Sequence, residues 1–294
     1  MKVACITGVT GFLGSHMARS LVRRGWEVHG LKRSTSDLSR LRDVAEHVTF
    51  HDVDRESLDR LFDVRAPDAV IHLATTYGRQ DEPPSQVVAT NVVFPLALLE
   101  RAVRSGVGMF VNAANTYTLD YKYLQSYTLS KQHFTEWGRL LTPSSMRFVN
   151  LRLYHPYGPG DHPSKFVPQI IRTCRASDAD ILLTPGEQRK DFLYVQDFVT
   201  AVHTLLDGPE RLPEGFVTLD CGSGRAVSIR EFVETIHRVT GSCSELRFGA
   251  LPYRENEIML SQADPAALRA LGWEPQVSLE QGIKNILQED FGRD

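Results

Sequence analysis

Two side chains with complementary acid–base chemistry lie four residues apart in the second third of the chain. Tyr127 and Lys131 fall within a segment predicted to be helical over residues 127–141, and residues four apart on a helix are neighbours on one face. An ammonium group beside a phenol favours the phenolate, so we expect Lys131 to lower the pKa of Tyr127. Such a pair on a helix is usually accidental, so its meaning depends on the motifs that accompany it.

A glycine-rich turn near the N-terminus provides that context. Gly8, Gly11 and Gly14 follow a short apolar run and precede a helical segment. Glycines there permit a tight turn, let backbone N–H groups approach a pyrophosphate and allow helix and strand to pack closely. A purely structural turn is the alternative, but the position between strand and helix favours a dinucleotide. The cofactor residues predicted here are Thr7, Gly8, Thr10, Gly11, Phe12, Leu13 and Gly14.

The end of the second predicted strand indicates which dinucleotide binds. NAD-binding proteins place an acidic residue there for the ribose hydroxyl, whereas this chain has Lys32 and Arg33, which can pair with a 2′-phosphate. This favours NADPH/NADP over NAD. A solvated basic pair and the nearby Asp37 keep NAD open as the alternative.

Two further strand ends are predicted to line the cofactor. After the third strand, Asp52 can accept a hydrogen bond from the adenine, beside Val53; alternatively, Asp52 or Asp54 caps a helix that begins near Arg55. The fourth strand ends in small residues where backbone would pass close to a flat ring. The expected contacts there are Leu73, Ala74 and Thr75.

The order of several motifs gives a resemblance that covers nearly the whole chain. TGVTGFLG, IHLAT, YTLSK, RLYHPYGPG, DFLYVQD and PYRENEI followed by LGWEPQVSLEQGI resemble the extended short-chain dehydrogenase/reductases that act on nucleotide sugars, the NAD-dependent epimerase/dehydratase type. Within them, ATTYGR and HPYGPGDHPSKF are most similar to the 4-ketoreductases of the CDP-abequose and CDP-paratose synthase type. The resemblance implies a Rossmann fold and a homodimer packed through helices at about residues 86–105 and 127–141.

One departure from the family pattern limits which reactions the protein can catalyse. Alanine stands at Ala113, where the family usually has a catalytic Ser or Thr. Three alternatives stay open: Asn115 or Thr116 donates the hydrogen bond to the substrate oxygen, or Tyr127 works without such a donor. The acidic pair that the family's 4,6-dehydratases carry there is absent from the sequence. Because elimination of water needs a positioned acid and base, a dehydratase is disfavoured.

The resemblance also implies where the remaining ligand contacts lie. For the cofactor it adds Asn91, Tyr127, Lys131 and Tyr154. Tyr117, Tyr121 and Tyr123 either line the sugar pocket or form a surface cluster. The substrate contacts implied are Thr76, Tyr77, His155, Lys165, Phe166, Arg189, Lys190 and Arg254, the basic residues serving a diphosphate.

The sequence therefore predicts an NADPH-dependent reductase of a nucleotide-linked 4-keto-6-deoxyhexose, with Tyr127 as proton donor. One alternative is a nucleotide-sugar epimerase with tightly bound cofactor, and another is a non-catalytic NADP-binding regulator. Intact Tyr127 and Lys131 argue against the regulator, because cofactor sensing needs neither.

An α/β fold must position these residues. Apolar runs predict strands at residues 3–7, 28–31, 48–51, 69–73, 109–112 and 147–153, with helical segments between them, which is typical of a doubly wound parallel sheet. We expect residues 1–153, with interleaved later segments, to form the Rossmann domain and residues 154–294 mainly a smaller α/β nucleotide-sugar lobe. Helices are predicted at residues 13–24, 165–176, 195–206, 229–240, 261–271 and 279–288.

Composition excludes several classes of function. Of 294 residues, 33 are basic and 36 acidic, so no strong field favours nucleic acid or an anionic membrane. The four cysteines are scattered without metal-site spacing, so neither a metal nor a disulfide scaffold is expected. With no signal-peptide pattern at the N-terminus, we expect a cytoplasmic protein.

Overall fold

The first half of the chain alternates strands and helices, as the apolar periodicity predicts. A computed structural model describes residues 1–79, 81–177 and 179–292. All six strands predicted in this half are present. The helix expected near residue 55 begins only at Asp59 and has no side-chain cap. The elements are β1 (Val3–Thr7), α1 (Phe12–Arg23), β2 (Glu27–Lys32), β3 (Val48–Asp52), α2 (Asp59–Val64), β4 (Ala69–His72), α3 (Pro84–Val88), α4 (Phe94–Arg104), β5 (Met109–Ala114), α5 (Gln125–Leu141) and β6 (Arg147–Leu153).

The second half has shorter elements, in keeping with its many proline and glycine residues. The helix predicted over residues 261–271 is confined to five residues because Pro265 precedes its first turn. The elements are β7 (Pro156–Tyr157), α6 (Phe166–Ala176), β8 (Ile181–Leu183), β9 (Arg189–Asp191), β10 (Leu193–Tyr194), α7 (Val195–Asp207), β11 (Gly215–Cys221), β12 (Ala226–Ser228), α8 (Ile229–Thr240), β13 (Leu246–Phe248), β14 (Leu260–Ser261), α9 (Ala266–Ala270) and α10 (Leu279–Phe291).

Seven strands form the central sheet in the order β3-β2-β1-β4-β5-β6-β11, and every neighbouring pair is parallel. The direction of strand order reverses between β1 and β4, so the loops that follow these two strands diverge and leave a crevice. The predicted doubly wound Rossmann fold is confirmed. The crevice lies at the carboxyl end of the sheet, where the glycine turn follows β1.

The sheet is completed from the second half of the chain. β11 pairs with β6 along seven residues, from Gly215 opposite Arg147 to Cys221 opposite Leu153. Helix α7 joins the same core, in which Phe198 and Trp273 are buried. Segments of the second half of the chain thus join the sheet and the core of the first half.

A second core lies under the smaller lobe. Helices α6, α8 and α10 bury Ile171, Phe232 and Ile283 around Tyr157. Two small sheets, β12-β9-β14 and β13-β8, flank this core. This lobe brings β9 and the loop before β14 towards the crevice.

The helical run Pro84–Arg104 contains one π-helical turn, Ala89–Val93, between α3 and α4. By length and composition alone this run of 21 residues, with mean hydropathy 1.3, would suffice to cross a membrane. Buried helices pass the same test, and here Leu98, Leu99 and Ala102 are fully buried in the core beside β5. Packing on the sheet accounts for these apolar residues.

Candidate active site

The glycine turn joins β1 to α1 at the crevice. Gly8 has a left-handed backbone, φ +63°, and a Cβ there would lie 2.8 Å from the Ala74 nitrogen. A Cβ on Gly14 would overlap the Gly8 carbonyl. Helix α1 begins after Gly11 without a side-chain cap, so its first N–H groups remain available to an anion. The turn therefore fits a pyrophosphate, with Thr10, Phe12 and Leu13 completing it.

The Thr7 hydroxyl fixes the ends of β1 and β4 relative to each other. It accepts hydrogen bonds from the Leu73 and Ala74 nitrogens, both at 3.0 Å. Its single proton is then donated to His72 Nδ1 at 2.8 Å. Burial lowers the pKa of His72 well below its usual value, with a smaller contribution from Lys131. Thr7 thus acts on the crevice by positioning the backbone at Leu73 and Ala74.

The two basic residues after β2 differ in their surroundings. Lys32 forms a salt bridge with Asp52 at the end of β3, whereas Arg33 is exposed and forms no ion pair within the described residues. Asp52 therefore does not cap a helix; its carboxylate neutralises Lys32. Val53 donates its N–H to the Lys32 carbonyl at 2.9 Å. Arg33 is the cation at this strand end that remains available to a 2′-phosphate.

Asn91 holds the loop that follows β4. Its Oδ1 accepts from the Thr76 nitrogen at 2.9 Å and from the Thr75 hydroxyl at 3.2 Å. Its Nδ2 donates to the Thr76 carbonyl at 2.8 Å and to the Ser130 hydroxyl at 3.0 Å. Asn91 is fully buried, so it shapes the crevice through these four bonds.

Tyr127 and Lys131 lie on the buried face of α5, as their spacing predicts. Tyr127 is only 6% exposed, with the Tyr77 ring centroid 4.8 Å and the Tyr117 centroid 6.3 Å from its own. Lys131 is 4% exposed and forms no ion pair within the described residues. Burial lowers the pKa of Lys131 to about 8.

The expected effect of Lys131 on Tyr127 is wrong for this geometry. Burial raises the pKa of Tyr127 well above its usual value, and Tyr77 and Tyr117 add to the rise. Arg79 and Asn115 act in the opposite direction. Loss of water around the phenol outweighs the effects of Arg79 and Asn115, because an ionised group buried among rings loses its hydration.

Two polar residues follow β5 where the family pattern differs. Asn115 interacts with the Tyr127 side chain, and its Nδ2 is buried without a hydrogen-bond partner in the described part of the chain. Thr116 is half-buried and has no such contact with Tyr127. Ala113 lies within β5, opposite Leu151 of β6. Of the two candidates, the structure brings Asn115 to the phenol.

Two residues after β6 enter the crevice differently. Tyr154 donates its hydroxyl to Asp220 at 3.0 Å, so that hydroxyl is engaged within the protein. His155 has a left-handed backbone, φ +29°, which is uncommon outside glycine and occurs at functional sites. Its Nε2 lies 3.2 Å from the Ser261 hydroxyl, and burial lowers its pKa to about 3. His155 therefore stays neutral at physiological pH.

Of the three cations expected for a diphosphate, Lys190 and Arg254 lie close enough for their charges to interact. Lys190 on β9 is buried and bonds to Glu257 at 3.1 Å and to the Ile258 carbonyl at 2.6 Å. Arg254 donates to the Tyr121 hydroxyl at 3.1 Å. Arg189 does not join them: on a strand successive side chains point to opposite faces, and its guanidinium donates to the Ala226 carbonyl.

Lys165 and Phe166 lie at the start of α6. Lys165 pairs with Asp161 at 2.9 Å and lies over the Tyr77 ring, 5.9 Å from its centroid. Phe166 is 38% exposed and packs on Phe232. Of these two residues, only Lys165 therefore lies beside Tyr77, the ring that packs on Tyr127.

Sequence reasoning missed two residues of this region. Arg79 stacks on Tyr77, with its guanidinium carbon 4.7 Å from the ring centroid, and Glu257 pairs with Lys190. Arg79 ends the ATTYGR motif and Glu257 lies within PYRENEI, so both belong to segments already singled out. No cluster that could hold a metal ion occurs among residues 1–79, 81–177 and 179–292.

Comparison with known proteins places this geometry in a family. The model of the NAD dependent epimerase/dehydratase family matches residues 4–218. CDP-abequose synthase of Salmonella muenchen is 31% identical over 97% of both chains, and that of Salmonella typhimurium is 32% identical over 96% of both. The crystal structure of Thermus thermophilus UDP-glucose 4-epimerase in complex with NAD superposes with a TM-score of 0.79 at 23% identity, over 98% of both chains. The chain belongs to the NAD dependent epimerase/dehydratase family.

Proposed function

We propose that this protein reduces the C4 ketone of a nucleotide-linked 4-keto-6-deoxyhexose, with NADPH as reductant. The observation that carries the proposal is the placement of Tyr127, buried at the crevice on the same face of α5 as Lys131, with the Tyr77 ring centroid 4.8 Å from its own. Reduction needs a proton donor at the start of the reaction, and burial keeps this phenol neutral. A dehydratase would need a carboxylate at the site, and the groups acting on Tyr127 are tyrosines, Arg79 and Asn115.

The residues of the crevice have separate roles in the proposed reaction. The turn at Gly8–Gly14 and the Lys131 ammonium hold the dinucleotide, which when bound supplies a hydride to the C4 carbon. As the carbonyl bond opens, its oxygen takes the proton of the Tyr127 hydroxyl, leaving a phenolate. The Arg79 guanidinium, whose charge favours the ionised form of Tyr127, stabilises that phenolate. Asn115, with its unpartnered Nδ2, is placed to donate a hydrogen bond to the same oxygen.

The preference for NADPH rests on Arg33. Its exposed guanidinium has no carboxylate partner within the described residues, so it can form charge-assisted bonds with a 2′-phosphate. Lys32 contributes less than the sequence suggests, because Asp52 already neutralises it.

A nucleotide-sugar 4-epimerase is the second candidate. Two observations favour it: the Lys32–Asp52 pair weakens the case for NADP, and a solved structure of similar fold is a UDP-glucose 4-epimerase with NAD. An epimerase returns the hydride to the sugar, so it consumes no reduced cofactor.

The test is the loss of reduced-nicotinamide absorbance with NADPH or NADH and CDP-, dTDP- and GDP-4-keto-6-deoxyhexoses. CDP sugars come first because two similar relatives are CDP-abequose synthases. We expect stoichiometric oxidation of NADPH by wild type, and a loss of about a thousandfold in Tyr127→Phe with NADPH affinity retained. A changed sugar without cofactor consumption would establish the epimerase instead. Cofactor binding without turnover of any sugar would support a regulator.

We also propose that two copies associate through α4 and α5. Exposed apolar side chains lie on the π-helical turn before α4, with Val93 at 58%, and on α5, with Trp137 at 41% and Leu140 at 72%, and such patches mark protein interfaces. Light scattering should give twice the chain mass for wild type and the single mass for Trp137→Glu/Leu140→Glu.

A further inference from the structure

Two arginine guanidiniums lie over the rings of Tyr77 and Tyr123, and Tyr77 packs directly against Tyr127. Arg79, from the loop after β4, is 4.7 Å from the Tyr77 centroid and 5.3 Å from the Tyr123 centroid. Arg254, from the loop before β14, is 3.8 Å from the same Tyr123 centroid. Two guanidiniums from opposite lobes therefore share one ring.

Arg79 differs from the two lysines of this region in having no acidic partner among the described residues. Lys165 pairs with Asp161, and Lys190 pairs with Glu257. The Arg79 guanidinium makes neither an ion pair nor a hydrogen bond with any described residue, and its side chain is exposed. Its contacts are the two aromatic faces.

Stacking leaves the edge of a guanidinium available. A guanidinium lying over a ring uses its face, while its N–H groups in the plane remain free to form forked bonds with phosphate oxygens. Two such groups on one ring suit a ligand with adjacent negative charges. A diphosphate has this form, because its two phosphoryl groups carry negative charge side by side.

We propose that Arg79 binds the diphosphate of the nucleotide-sugar substrate together with Arg254, on the Tyr123 ring between them. This inference rests on the proposed function, because it assumes a nucleotide-linked substrate. It adds a cation from the first half of the chain to the Arg254 guanidinium, which comes from the second half. The diphosphate then joins the two lobes and places the sugar over Tyr77 and Tyr127.

The experiment is calorimetric titration of the full chain, saturated with NADP, with CDP and with CMP. We expect Arg79→Ala to weaken CDP binding by about tenfold and CMP binding by less than about threefold. NADP affinity should not change. Arg238→Ala is the matched control, because this exposed arginine pairs with Glu280 on the outside of the smaller lobe.

A second variant separates charge from stacking. Arg79→Lys keeps the charge but loses the planar fork, so it should retain CDP affinity only in part. Equal CDP affinity in Arg79→Ala and wild type would overturn the inference and leave the proposed function standing. Failure of wild type to bind any of CDP, UDP, dTDP and GDP would instead overturn the proposed function, and this inference with it. Thermal unfolding of each variant establishes that it folds.

Discussion

The two sides of the crevice recognise their ligands by different means. The dinucleotide side is built from main chain and small residues: Gly8 and Gly14 have no room for a Cβ, and Thr7 fixes the backbone at Ala74. The substrate side is built from rings and charges, such as Tyr123 and Arg254. At Gly8 and Gly14 the dinucleotide side has no room for an added Cβ. On the substrate side, we expect ligand binding to weaken when a charged group is removed.

On the dinucleotide side, we expect the largest loss of stability and cofactor binding from adding one methyl group to Gly14. Gly14→Ala places a Cβ against the Gly8 carbonyl, and backbone cannot yield as a flexible side chain can. We expect a loss of stability of more than about 3 kcal/mol and no measurable NADPH binding. Urea unfolding and cofactor fluorescence measure the two. Gly108→Ala is the control, because this exposed glycine has no left-handed backbone and its added Cβ would meet only the Asp68 carbonyl oxygen, at 3.7 Å; equal behaviour of the two variants would contradict the steric reason.

Lys131 lies where the two sides meet, and it reduces stability. Its pKa is about 8 in the folded protein, against an ordinary value of about 10.4. Below pH 8 folding therefore confines a charged amine that water would solvate better. As pH rises from 8 to 10.5, the unfolded chain releases this proton later, so wild-type stability rises over that window.

The variant Lys131→Met should remove this cost. At pH 7 we expect it to be more stable than wild type by about 2 to 3 kcal/mol, while turnover falls by at least about a hundredfold. The stability difference should shrink towards pH 10.5. Urea unfolding across this range measures it, and a difference independent of pH would refute a buried charge as its source.

The next effect tests which residue assists Tyr127 on the substrate side. Asn115→Ala removes the unpartnered Nδ2 beside the phenol, so kcat should fall by about 30-fold with little change in KM. Thr116→Val should lower kcat by less than about threefold, because Thr116 does not contact Tyr127. Steady-state kinetics of both variants decide the matter; the reverse order would assign the role to Thr116.

The smallest effect concerns a charge on the dinucleotide side, where recognition is otherwise by backbone. Arg33→Ala should lower the preference for NADPH over NADH by about tenfold, measured as the ratio of kcat/KM values. Arg60→Ala, an exposed arginine on α2 paired with Glu56, should leave that ratio unchanged. An unchanged ratio in Arg33→Ala would favour the NAD alternative.

Much of the fold and the dinucleotide turn follows from local sequence. β1 to β6 fall on short segments rich in apolar residues. The steric demands on Gly8 and Gly14 arise from neighbours along the chain and at the end of the adjacent strand. The family resemblance located Tyr127 and Lys131 within a helix whose face their spacing defines.

The remainder depends on contacts between distant residues. The Lys32–Asp52 pair joins two strand ends, and the raised pKa of Tyr127 requires Tyr77, 50 positions earlier, to cover its ring. The role of Arg79 depends on Tyr123 and Arg254. Residue spacing within one segment does not predict these contacts, because burial and ion pairing depend on which loops meet in the folded protein.

The pairing of β11 with β6 has a consequence for the order in which the protein can be made. A ribosome releases residues 147–153 long before residues 215–221, so during synthesis the nascent sheet ends in an unpaired hydrogen-bonding edge. Such edges invite association with other chains. The Rossmann domain cut at residue 153 would keep that edge permanently, so only the longer chain can both finish the sheet and protect it from aggregation.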